Sequence, residues 1–292
     1  MIINHDFELY PILEISGDDD TDGVKHAEAA QWPPGLVSTL LGDEVRPQYL
    51  SHGPEAFQLV LRGINLADQG QPEDMVSVRL AWFQGQLVVV HRRHVKSLVE
   101  TLQDTPAHPS EFALILATRM TDKIETFTFA LDEEIEDAEQ AMLADSDCKP
   151  DLGHYRRSVI KLRRYLLPQR EILAHMARAN DEVFDDRQRH QWHDLSQRTA
   201  RVCELLDAFR ERLILMQEAQ AQAANDRLNR NLYRLSLISA VFLPLGFITG
   251  LLGINVGGIP LVDSPYGFAV IFGICAVFGV SIVAYFKHNR WF

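Results

Sequence analysis

The sequence predicts an α/β cytosolic domain followed by long helices that lead into two C-terminal transmembrane helices. Three observations predict it. Short β-branched and apolar runs separated by turn residues fill roughly the first hundred positions. Long stretches of helical periodicity follow, almost free of Gly and Pro. The segment from Leu235 to Phe286 then carries one formal charge, Asp263.

In the first region, 1–105, Phe7–Ile15 reads as a strand and Gly17–Gly23 (GDDDTDG) as an acidic, turn-rich loop. Ala56–Ile64, Met75–Phe83 and Gln86–His91 are further strand runs, and the short Gln84-Gly85 link predicts a hairpin between the last two. His94–Gln103 reads as a short helix. The Thr105-Pro106-Ala107-His108-Pro109 stretch closes the region.

The second region, 106–231, is helical. Ser110–Leu143 forms one pattern whose second half is acidic, with Asp132, Glu133, Glu134, Glu136, Asp137 and Glu139. Residues 146–153 (SDCKPDLG) break it. A second helix is expected from about His154, with a break or kink at Pro168 and helix again through Asn180. Val202, Leu206, Phe209, Leu213 and Met216 follow spacings of 4, 3, 4 and 3, a heptad seam. No Gly or Pro interrupts 217–234, so this stalk and the first span are expected to be one helix, on the order of 80–100 Å long. A helix of that length needs partners, in a bundle or an oligomer.

The third region, 232–292, is a transmembrane hairpin. Its apolar runs, Leu235–Ile254 and Gly267–Phe286, each match the roughly 20 residues that cross a bilayer core. Arg227, Arg230 and Arg234 precede the first span, and Lys287 and Arg290 follow the second. The intervening link has neither Lys nor Arg. The positive-inside rule therefore puts both termini in the cytoplasm, with Trp291 as an interfacial anchor.

The chain has 292 residues and a formal net charge of −12, most of the acidity lying upstream of the hairpin. That balance argues against nucleic acid, whose phosphates need a clustered basic surface. It fits cationic partners, and equally an acidic surface that serves solubility. Cys148, Cys203 and Cys275 show no paired spacing, so neither a disulfide framework nor a Cys-x-x-Cys metal site is implied. The N-terminal MIINHDFELYPILEI lacks a basic and apolar leader pattern, and no signal peptide is expected.

The first span has a face of its own. Gln222, Asn225, Asn229, Leu232, Ser236, Ser239, Leu243, Gly246 and Gly250 recur at helical spacing and are mostly small or polar. Such residues in a span face other helices or water. Two readings follow: close packing through Gly246 and Gly250, or the wall of a water-filled pore. No charged residue lies in either span, which leaves no intramembrane carboxylate for a proton relay. Pro244 is tolerable in a membrane helix. At the outer end Asn255 offers an amide that can hold the waters of a hydrated cation without stripping them. Gly257-Gly258 permits a sharp turn. Asp263 either attracts cations or caps that turn.

Elsewhere, His190 and His193 stand three apart on an expected helix near Asp186 and Asp194. That spacing can hold a transition metal and also arises by chance. His91 and His94 read as structural. The acidic run at 132–139 either concentrates cations or is a solvated face, and Cys148 beside Asp145 and Asp147 is a weak metal candidate. No HExxH, phosphate loop or nucleophile triad is legible. The chain is expected to be no enzyme and to need no cofactor.

With these features in place, Gly253-Ile254-Asn255 at the end of a long helix resembles the Gly-Met-Asn signature of the CorA superfamily of divalent-cation channels. Ile254 in the middle position is similar to the ZntB-like zinc-transport branch. Leu61-Arg62-Gly63-Ile64-Asn65, Val76-Ser77-Val78-Arg79-Leu80, Tyr165-Leu166-Leu167-Pro168-Gln169-Arg170 and GLLGINVGGIP at 250–260 carry the same resemblance. It implies a homopentameric funnel in a bacterial inner membrane, with five long helices around one pore. The transported ion would be Zn²⁺, with uptake driven by protons or efflux as implied modes, and Asn255 would act through the ion's hydrating water. Ile254 departs from the magnesium-channel pattern and puts magnesium selectivity in doubt. Two alternatives stand beside it: a Mg²⁺, Co²⁺ or Ni²⁺ channel, and a membrane-anchored sensor or scaffold.

Overall fold

The computed structural model describes every residue except 8, 18–20, 44–45, 68–69, 105, 145–147, 180–181, 255–264 and 289–292. The described chain falls into two compact units, Met1–Glu218 and Ala219–Phe292.

The first unit is built on strands β1 (Ile2–Asp6), β2 (Pro11–Ser16), β3 (Gln48–Ser51), β4 (Phe57–Gly63), β5 (Val76–Phe83) and β6 (Gln86–His91). They form one sheet in the order β1-β2-β6-β5-β4-β3. Every pairing is antiparallel except β2 with β6. The β5–β6 hairpin turns at Gln84 (φ 51°) and Gly85 (φ 76°), the pair of left-handed residues that a two-residue primed turn requires. Of the single strand expected over Phe7–Ile15, only Pro11–Ile15 is strand among the described residues, and a further strand, β1, precedes the range. That part belongs to β2, which begins at Pro11, and β1 pairs with it along Ile2–Asp6. The segment IINHD has no apolar alternation because β1 is an edge strand with one neighbour.

Helices α1 (Thr21–Ala29) and α2 (Pro34–Leu41) lie among the early strands, and α3 (Lys96–Leu102) follows the sheet. Leu36, Leu40 and Leu41 of α2 pack with Leu13, Ile15, Ala81, Val88 and Val90 on one sheet face. The opposite face, with Ile12, Leu59, Leu80 and Val89, meets Phe112, Leu116 and Met120 of α4 (Pro109–Ala144). Each fully buried Leu or Ile here contributes about 1.5–3 kcal/mol relative to exposure.

Three long helices form the rest of the core: α4, α5 (Leu152–Met176) and α6 (Asp186–Leu252). Helix α5 starts two residues before the expected His154. The Asp151 carboxylate caps it, accepting from the N–H of Gly153 at 3.0 Å and of His154 at 3.3 Å. Helix continues through Pro168, where a break or kink was expected, so there is no break. Buried Leu166, Gln169 and Leu173 around the proline hold it against the core. The seam Val202, Leu206, Phe209, Leu213 and Met216 is buried with Ile124, Leu131 and Ile135 of α4 and Val159, Leu162 and Leu166 of α5. Over these residues the stalk has found its partners inside its own chain.

The second unit holds the end of α6 and helix α7 (Gly267–His288). Both are long and apolar enough to cross a membrane.

The exposed face of the long helix

Helix α6 runs for 67 residues, free of Gly and Pro up to Pro244 and continuing through that proline to Leu252. Its membrane part has two unlike faces. Leu237 is buried, and Val241, Leu245 and Ile248 are partly covered. These are apolar residues spaced for one face. Along α7, Ile271, Cys275, Gly279 and Ile282 are partly covered and Phe286 is buried. The two helices meet where Leu245 approaches Gly279: a Cβ at that glycine would stand 3.6 Å from Leu245 Cδ1.

The small and polar stripe lies opposite. Ser236 and Ser239 fall about 100° per residue away from Leu237, and both are exposed. Gln222, Asn225, Asn229, Leu232, Leu243, Gly246 and Gly250 are exposed as well. A Cβ built on Gly246 or Gly250 meets nothing within 4 Å. Neither glycine therefore packs against α7, which removes the hairpin's own second helix as the reason for these small residues. Earlier in the sequence of the same helix, Glu204, Glu211 and Glu218 are exposed at spacings of seven.

The Gly253 N–H donates to the carbonyls of Thr249 at 3.0 Å and Gly250 at 3.1 Å, and Ile254 is exposed. Asn255 of the expected ion-recognition motif and Asp263, expected either to attract cations or to cap the turn, lie outside the described residues, as do Gly257 and Gly258.

Other expected residues are dispersed. His190, His193 and Asp194 are exposed on α6, and the Arg189 guanidinium holds the Asp186 carboxyl below its usual range. Among the described residues, no group of three or more His, Cys, Asp or Glu side chains is arranged to hold a metal. The acidic helix α4 is partly neutralised by α6. Arg198 pairs with Asp122 and Glu125, and Arg212 pairs with Asp132 and Glu139. Those carboxylates are engaged rather than simply solvated.

One charged cluster escaped the sequence reading. Glu14 accepts from His5 Nε2 at 2.7 Å and lies 2.8 Å from His91 Nε2. The other nitrogen of His91, Nδ1, is 2.9 Å from the Arg93 carbonyl, which can only accept, so Nδ1 carries a proton. The hydrogen bond from His91, aided by that from His5, pulls the Glu14 carboxyl down to about 2 against the opposing effect of burial. The available signal was the period of β2: Glu14 shares the buried face of Ile12, where an acid needs partners.

The family model described as "CorA-like Mg2+ transporter protein" matches residues 14–288. The divalent cation transporter CmaX of Pseudomonas aeruginosa is 36% identical over 263 residues, 86% of this chain and 78% of the relative. The zinc transport protein ZntB of Yersinia enterocolitica is 28% identical over 279 residues, 91% of this chain and 85% of its own. Among solved structures, full-length CmaX superposes with a TM-score of 0.80 at 32% identity, covering 97% of this chain and 89% of that one. The CorA magnesium transporter of Methanocaldococcus jannaschii gives 0.81 at 16% identity, over 99% and 94% of the two chains, a likeness of fold.

Proposed function

We propose a function from one premise: the chain belongs to the CorA-like Mg²⁺ transporter family. It carries divalent metal cations across a membrane, and the named relatives, all transporters, support a non-enzymatic role. In the finer reading the ion is Zn²⁺, as the name of the ZntB relative suggests. Five copies surround a central pore in the bacterial inner membrane, with both termini in the cytoplasm. The stripe from Gln222 to Gly250 lines the pore and Asn255 meets the hydrated ion at its outer mouth. Proton coupling belongs to this finer reading too.

The observation that carries the proposal is the open face of α6. Its serines, amides and glycines are exposed, while on the other side Leu237 is buried and Val241, Leu245 and Ile248 are partly covered. A membrane anchor gains nothing from such a face, since lipid rewards apolar side chains all round. Serine hydroxyls and carboxamides instead suit a water-filled path for an ion that keeps its waters.

The test uses the full chain in vesicles that hold a zinc-sensitive dye, with pH gradients of either sign. Zn²⁺ entry above protein-free vesicles is expected, and Asn255→Ala is expected to bring it to the protein-free level with the oligomer intact. Wild-type flux in that variant removes Asn255 from the mechanism, and absence of flux in every gradient removes zinc. One observation favours a second reading: the 36% relative is named for divalent cations without a chosen metal. Competition by Mg²⁺, Co²⁺ and Ni²⁺ separates the two.

A further inference from the structure

The two helices of the second unit bring basic residues from distant parts of the sequence to one level. Leu245 of α6 lies beside Gly279 of α7, and about two turns further along each helix Leu237 and Phe286 are both buried. The helices therefore run antiparallel, with the start of one span level with the end of the other. At a rise of about 1.5 Å per residue, Arg234 stands about 16 Å and Lys287 about 12 Å from the Leu245–Gly279 contact. Arg230 follows about one turn beyond Arg234. All three cations are exposed.

The arginines keep to one side of α6. At about 100° per residue, Arg230 falls about 20° and Arg234 about 60° from Leu237, the side that also carries Val241, Leu245 and Ile248. Ser239, Leu243, Gly246 and Gly250 of the stripe lie about 120–180° from Leu237, across the helix. The arginines thus stand off the face assigned to the ion. Little in the unit neutralises them. Asp226 is the only acid among its described residues, and it accepts from Gln222 Nε2 at 3.2 Å. Among the described residues, Arg230, Arg234 and Lys287 take part in no ion pair. Directly after Arg234 the surface of α6 turns apolar, with Leu235, Ile238 and Phe242 exposed, and on α7 exposed Val283 and Tyr285 directly precede Lys287. A change from apolar to basic at one level on both helices, with an aromatic ring beside it, marks the headgroup layer of a bilayer.

We propose that Arg230, Arg234 and Lys287 form a binding site for the headgroup of an anionic phospholipid. Planar guanidinium forks match phosphate oxygens two at a time, and the Lys287 ammonium adds a point charge. The acyl chains run beside the exposed apolar side chains that begin at Leu235, a gain that free phosphate lacks. A zwitterionic lipid brings a cation of its own and is held less well. The inference rests on the hairpin crossing a membrane. It is independent of the metal carried, of the pore and of the direction of transport.

The experiment titrates the full chain in nonionic detergent with short-chain phosphatidylglycerol, with phosphatidylcholine of the same chains and with glycerol phosphate, at constant ionic strength. It reads melting temperature and, by native mass spectrometry, the lipid retained. A saturable rise in melting temperature is expected with phosphatidylglycerol alone. The double variant Arg230→Gln with Arg234→Gln is expected to weaken that binding at least about tenfold, and Lys287→Gln about fivefold. Leu232→Ala, at the same level but across the helix, is expected to leave it unchanged. An equal rise with phosphatidylcholine overturns the site. So does the same rise with glycerol phosphate, which would make it a site for any phosphate, and so does unchanged affinity in the double variant. A loss in Leu232→Ala equal to that in the double variant puts the headgroup on the other face and overturns it as well. No flux is read, so failure here is distinct from failure of the zinc assay.

Discussion

Between Val202 and Met216, α6 buries a seam of apolar side chains; between Gln222 and Gly250, residues at the same 4-3 spacing stand in the open. The first set is paired with α4 and α5, and its Leu206 has no exposed surface. The second set is exposed among the described residues, and its Leu243 is 75% exposed. Apolar burial explains the first, since each such side chain contributes about 1.5–3 kcal/mol. It cannot explain the second, because a serine hydroxyl or a glycine hydrogen has almost no apolar area to bury. One helix thus carries a stretch shaped by stability and a stretch that apolar burial does not account for.

The largest effect on that contrast is expected from Leu206→Ala. It leaves a cavity in the three-helix core and should cost about 2–5 kcal/mol, read by denaturant unfolding of the full chain. A loss below about 1 kcal/mol would mean that the seam is no core, and the contrast would collapse. Gly246→Leu probes the other stretch. Its own chain leaves room for the side chain, so folding should be unaffected while flux falls about tenfold, equivalent to about 1.4 kcal/mol. Unchanged flux in a stable variant would take that face out of the ion path. Arg212→Gln is the smallest perturbation. Its pairs with Asp132 and Glu139 are partly solvated, so a loss of about 1 kcal/mol or less is expected. A much larger loss would shift the seam's stability from apolar packing to charge.

The heptad seam and the stripe were both legible from sequence because each depends on local periodicity. The seam needs only apolar side chains at 3 and 4, and the stripe stands out as polar residues in a charge-poor run. The β5–β6 hairpin was legible too, since Gly85 marks a left-handed turn. What escaped depends on distant register. Strand β1 shows no alternation of its own and exists through its pairing with β2. The Glu14 cluster needs residues from three strands placed diagonally across the sheet. The meeting of Arg62 with Tyr165 and Gln169 brings together two stretches whose sequences say nothing of each other. Pro168 reads as a breaker, and only the packing around it shows why α5 runs on.

The Arg62–Gln169 contact has a consequence of another kind. Strand β3 pairs with β4 only as far as Val60, so beyond it a side chain completes the bonding. The Gln169 amide accepts from the Arg62 N–H at 2.7 Å and donates to the Arg62 carbonyl at 3.1 Å. The Arg62 amide proton is therefore shielded by a group on α5 and not by a neighbouring strand. Its exchange with deuterated solvent times the lifting of α5 from the sheet while every strand stays paired, a clock for helix undocking set within an otherwise closed ladder.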